Sequence, residues 1–71
     1  MTAEESVKAI YPTATLFPFK FAGLSVWSVK VRKEKGMQSW DVTLAEDYTP
    51  ERAWEQAWRT VQKQMLDKLA E

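Results

Sequence analysis

Cysteine and histidine are both absent from this 71-residue chain, glycine occurs only twice, and ten basic and ten acidic side chains cancel. Without cysteine no disulfide can staple so short a chain. Without either residue the usual zinc ligands and the common nucleophile and general-base arrangements are also missing. The carboxylates that remain are scattered; Glu46 and Asp47 adjoin, but no loop of oxygen ligands at calcium spacing surrounds them. No metal, no cofactor and no enzymatic activity are therefore expected. Zero net charge argues against a protein that simply coats nucleic acid. No apolar run approaches the roughly 20 residues needed to cross a bilayer, and "MTAEESVKAI" is acidic where a secretion leader would be basic. The expectation is a cytoplasmic protein that does not enter a membrane.

What the chain does have is aromatic mass: four Trp, three Phe and two Tyr. Chains below about 70 to 80 residues bury a single modest core, so residues 1–71 read as one domain whose core must hold it without staples. The stretch "RAWEQAWRTVQKQM" sets Trp54 and Trp58 four residues apart. Both indoles are expected in the core beside Trp27 and Trp40; because every indole N–H needs a partner, the reading leaves room for one of the four at the rim.

The pattern along the chain predicts an α+β fold. Thr2 followed by Glu5 has the form of a capping box and opens a short first helix, which Pro12 ends by about Ile10. "TATLFPFKF" reads as extended with Phe17, Phe19 and Phe21 on one face; Pro18 makes it an edge strand or a strand broken by a bulge. Gly23 supplies the following turn. "LSVWSVKVRK" alternates, with Trp27, Val29 and Val31 inward and Leu24, Val26, Ser28, Lys30 and Arg32 outward. After a polar turn at "KEKG", "MQSWDVTL" places Trp40, Val42 and Leu44 inward and Ser39, Asp41 and Thr43 outward. Thr49 and Pro50 open a long amphipathic helix. Its apolar stripe is Trp54, Ala57, Trp58, Val61, Met65 and Leu69. The architecture expected is a short helix, a three-stranded antiparallel meander, and a closing helix packed on one face of the sheet.

Charge along the chain is uneven. Lys20, Lys30, Arg32, Lys33 and Lys35 face one acid, Glu34, whereas Asp41, Glu46, Asp47, Glu51 and Glu55 face one base, Arg52. Such a bipolar surface can orient a partner. Lys30, Arg32, Lys33 and Lys35, on or beside the hairpin tip, together with Ser39 and Asp41 on the outward face, are the candidate partner-binding residues. The same order of helices and strands occurs in double-stranded-RNA-binding domains. Those domains need a basic cluster opening the second helix, where "TPERAWEQ" carries Glu51 and Glu55 against Arg52.

"AW" repeated at Ala53, Trp54 and Ala57, Trp58, with "YPTA" at Tyr11 to Ala14 and "VWSV" at Val26 to Val29, resembles a group of small phage- and prophage-encoded proteins. Many of these carry a Tyr-Pro segment, a Trp-containing hairpin and an Ala-Trp helix. The likeness spans residues 11–61 in layout; Trp58 and the Lys-rich hairpin depart from it. It implies a protein acting in the cytoplasm of a host by occupying a larger host protein or ribonucleoprotein complex. Some such proteins inhibit bacterial defence systems, as anti-CRISPR proteins do. The expectation is thus a non-enzymatic protein-binding module, monomeric or weakly dimeric, that blocks a partner sterically, with nucleic-acid binding through the basic hairpin as the alternative.

Overall fold

The computed structural model describes residues 1–70; Glu71, the last residue of the expected domain, lies outside them. Both helix starts fall where expected, whereas the hairpin turn is Gly36 and Met37, because Lys33, Glu34 and Lys35, expected in the turn, stay paired in the ladder. The elements are α1 (Ala3–Ile10), β1 (Thr15–Phe21), β2 (Leu24–Lys35), β3 (Gln38–Asp47) and α2 (Pro50–Ala70). Thr2 Oγ1 accepts the Glu5 amide at 3.2 Å and caps α1. The Glu5 carboxylate takes the Thr2 hydroxyl at 3.3 Å, so the contact runs side chain to side chain where a reach back to the cap amide was expected. Tyr11 N–H closes the helix on the Val7 carbonyl at 2.7 Å, just before Pro12. Thr49 Oγ1 accepts the Arg52 amide at 3.2 Å and Pro50 occupies the first helical position, where no amide is needed. Thr49→Ala is expected to cost about 1 kcal/mol, measured by urea unfolding.

The strands form an open antiparallel sheet in the order β1-β2-β3. β1 pairs with β2 in unbroken register from Thr15↔Lys30 to Phe21↔Leu24. Pro18 therefore sits in an edge strand with no bulge, the position where a missing amide is tolerated. The turn between them is Ala22 and Gly23, both at positive φ, 52° and 80°. Alanine pays for its Cβ in that region whereas asparagine and glycine visit it readily. Ala22→Asn is expected to stabilise the domain by about 0.5 to 1 kcal/mol. In a domain of this size that raises Tm by several degrees, which calorimetry would read.

β2 and β3 pair from Lys35↔Gln38 to Val31↔Val42 and Lys30↔Thr43, then shift so that Val29 faces Ala45. Leu44 is the extra residue. This β-bulge turns both Leu44 and Ala45 toward the helices and reverses the alternation beyond it. Thr60 of α2 donates from its hydroxyl to the Leu44 carbonyl at 3.1 Å, tying the helix to the bulge.

α2 lies on the face that carries Leu16, Trp27, Val29, Val31, Val42, Leu44 and Ala45, and α1 packs against α2. The core joins these to Val7 of α1, Ala14, and Ala53, Trp54, Ala57 and Val61 of α2. Tyr11 donates from its hydroxyl to Gln64 Oε1 at 3.2 Å and links the end of α1 to α2. The four indoles do not share one environment. Trp54 is 6% exposed, and Trp27 and Trp58 are partly buried against the core. Trp40 lies on the helix-side face yet is 44% exposed and stands outside the core. The apolar stripe of α2 likewise outruns its support: Val61 is buried but Met65 and Leu69 are exposed. A 21-residue helix is about 31 Å long, and its last turns extend past the residues that pack on it.

Candidate functional site: the open face of the sheet

Because Phe21 pairs with Leu24, every odd residue of β1 shares a face with the even residues of β2. The three phenylalanines thus stand on the side away from the helices, in a row beside Leu24 and Val26. Phe17 is 48%, Phe19 38% and Phe21 71% exposed. This apolar end of the face continues into Tyr48, also exposed, just beyond β3. It is the most aromatic part of the surface on the side away from the helices.

The other end of the same face is polar. It carries Thr15, Lys30 and Thr43 in one row, Arg32 and Asp41 in the next, and Glu34 and Ser39 in the last. Arg32 Nη2 donates to Ser39 Oγ at 2.9 Å and Arg32 Nε lies 3.9 Å from a Glu34 carboxylate oxygen. Thr13 Oγ1 accepts the Arg32 amide at 3.1 Å and donates to the Arg32 carbonyl at 3.3 Å, extending the β1 edge by a side chain. Lys30 is half-buried, its ammonium 5.8 Å from the centre of the Phe17 ring. The two ends meet at that contact.

The six residues singled out from sequence divide between the faces. Lys30, Arg32, Ser39 and Asp41 come together on the open face as expected. Lys33 and Lys35 fall on the helix-side face, across the ladder from Trp40 and Gln38, so the four cations do not form one patch. The residues that sequence reading left out are Phe17, Phe19, Phe21 and Tyr48 as exposed surface, and Glu46 as their neighbour. A signal for the first three was present. A two-residue turn at Ala22 and Gly23 forces odd against even pairing, and the even residues of β2 already read as outward.

Glu46 reaches this face through the bulge. Without the extra residue at Leu44 it would follow Val42 toward the helices; with it, Glu46 pairs with Ser28 and joins the aromatic end. Phe19, Phe21, Val26, Glu46, Asp47 and Tyr48 line a cleft of about 400 Å³ there. Next to it lies Ser28, 1% exposed, whose hydroxyl has no hydrogen-bond partner among the described residues. An unpaired buried hydroxyl costs about 1 to 3 kcal/mol.

Among the described residues no cluster of three or more carboxylates could hold a metal ion, and no helix is long and apolar enough to cross a membrane. Comparison with family models, with characterised proteins and with solved structures gives no match to this chain.

Proposed function

We propose that this chain is a small protein-docking module that binds a larger protein through the open face of its sheet and blocks, by its bulk, a surface that the partner needs. The observation that carries the reading is the row of Phe17, Phe19 and Phe21 on the exposed face, outside the core. Aromatic residues are enriched where binding energy concentrates, and a rigid sheet presents them at little entropic cost. Lys30, Arg32, Ser39 and Asp41 form the polar rim that sets orientation and makes the on-rate salt-sensitive. The likeness to small phage-encoded proteins supports a host protein, a defence complex included, as the partner to try first.

A second reading, single-stranded nucleic acid stacked on the phenylalanines, draws support from the Lys30 ammonium beside the Phe17 ring. Three acids on the same face, Glu34, Asp41 and Glu46, weigh against it, since they repel phosphates. The readings separate on capture from bacterial lysate at two salt concentrations, with and without nuclease. The docking reading expects one protein to survive nuclease, to be retained by Lys33→Ser/Lys35→Ser, and to be weakened by Lys30→Ser/Arg32→Ser. Recovery that disappears with nuclease and moderate salt would transfer the assignment to nucleic acid.

A further inference from the structure

Within that docking face one feature has the chemistry of a receptor for a particular side chain. The cleft at its apolar end has aromatic walls, Phe19, Phe21 and Tyr48, an aliphatic floor at Val26, and two acids at its border, Glu46 and Asp47. Glu46 is exposed and lies on the same face as the rings, so its carboxylate is free to meet an incoming charge. Asp47 Oδ1 is already engaged by the Tyr48 amide at 2.6 Å, which holds the start of the Tyr48 segment against the strand end.

We propose that this cleft receives a basic side chain, the ammonium of a lysine or the guanidinium of an arginine, from the protein partner. An aromatic face attracts a cation within about 6 Å of its centre. The methylene stem of such a side chain is apolar and suits walls of Phe and Val, while its charged head can remain near water and a carboxylate. Glu46 supplies that carboxylate. An anionic group entering the same space would meet Glu46 and Asp47 instead, which selects against phosphate and against acidic side chains. A purely apolar side chain would bury Glu46 without a partner, a cost that a cation avoids. The chain already uses the same chemistry internally: the Lys8 ammonium lies 5.5 Å from the Trp54 ring centre while bound to the Glu4 carboxylate at 3.2 Å.

The inference rests on the docking reading, so its test uses probes that separate the two. Nα-acetyl-lysine amide and Nα-acetyl-norleucine amide differ essentially by the ammonium group, and each would be titrated into the labelled protein by NMR. The lysine probe should shift the signals of Phe19, Phe21, Glu46 and Tyr48 and bind at least about threefold tighter than norleucine. Glu46→Gln, an exposed substitution that leaves the core alone, should remove most of that advantage. Equal binding of the two probes in the cleft would overturn the cation assignment and leave the apolar docking face standing. A ten-residue oligothymidylate that shifted the three phenylalanine signals, with neither amide probe binding, would overturn both.

Discussion

Trp54→Ala is expected to unfold the domain at room temperature or leave it within reach of unfolding. Truncating a buried Trp costs about 3 to 5 kcal/mol, through lost transfer energy and the cavity left behind. A domain of this length has about 4 to 10 kcal/mol in total. Trp54 is the indole that nearly disappears from solvent, and it carries the Lys8 ammonium of α1 on its ring, so its loss also loosens the contact between the two helices. Trp40 makes the contrast. At 44% exposure and outside the core, Trp40→Ala should cost no more than about 1 kcal/mol, although the alternation of β3 gives Trp40 the same inward parity as Val42. Urea unfolding of the two variants side by side reads this directly. Similar losses for both would place Trp40 in the core and undo the packing described above.

The second large effect falls on binding and spares the fold. Phe19→Thr/Phe21→Thr keeps β-forming residues in an edge strand and removes side chains that contribute little to the core, so stability should change by about 1 kcal/mol or less. Aromatic anchors at binding surfaces are often worth 2 kcal/mol or more each. Losing two, about 4 kcal/mol together, should weaken the partner complex roughly 700-fold at 1.4 kcal/mol per factor of ten. Circular dichroism and capture of the partner by the same preparation would be compared. An unfolded variant would show that the pair belongs to the core; a folded variant with undiminished capture would remove the open face from the docking reading.

Much of the fold could be read from single residues because local chemistry controls it. Thr2 and Thr49 cap their helices whatever lies across the molecule, and Pro12 ends α1 by itself. The alternation of β2 likewise survives because both of its neighbours pair with it. Legibility fails where a distant element decides. Met65 and Leu69 fit the helical period perfectly well, yet period says nothing of what lies opposite each turn, and those two side chains are left exposed. The bulge at Leu44 has no glycine to announce it. The Thr60 hydroxyl of α2 reaches the Leu44 carbonyl at 3.1 Å, and the bulge brings Glu46 to the aromatic face.

The candidate site was legible by halves. Lys30, Arg32, Ser39 and Asp41 were placed together by strand alternation within one hairpin. Lys33 and Lys35 were grouped with them by nearness along the chain, and in a strand a shift of one position is a change of face. The phenylalanines were recognised as one row, but the face they share depends on the parity of a turn, and Ala22 at φ 52° is an uncommon residue for it. Of the charges that make the chain bipolar, only Arg32 and Asp41 stand opposite each other in the β2–β3 ladder.

Site-specific photocrosslinking tests the central claim most directly. Phe21→p-benzoylphenylalanine on the open face and Gln62→p-benzoylphenylalanine on the exposed side of α2 would be illuminated in nuclease-treated bacterial lysate. Docking through the sheet predicts one discrete protein adduct from position 21, competed away by excess unmodified protein, and none from position 62. An adduct from position 62 alone, or products at position 21 that vanish with nuclease, would contradict it.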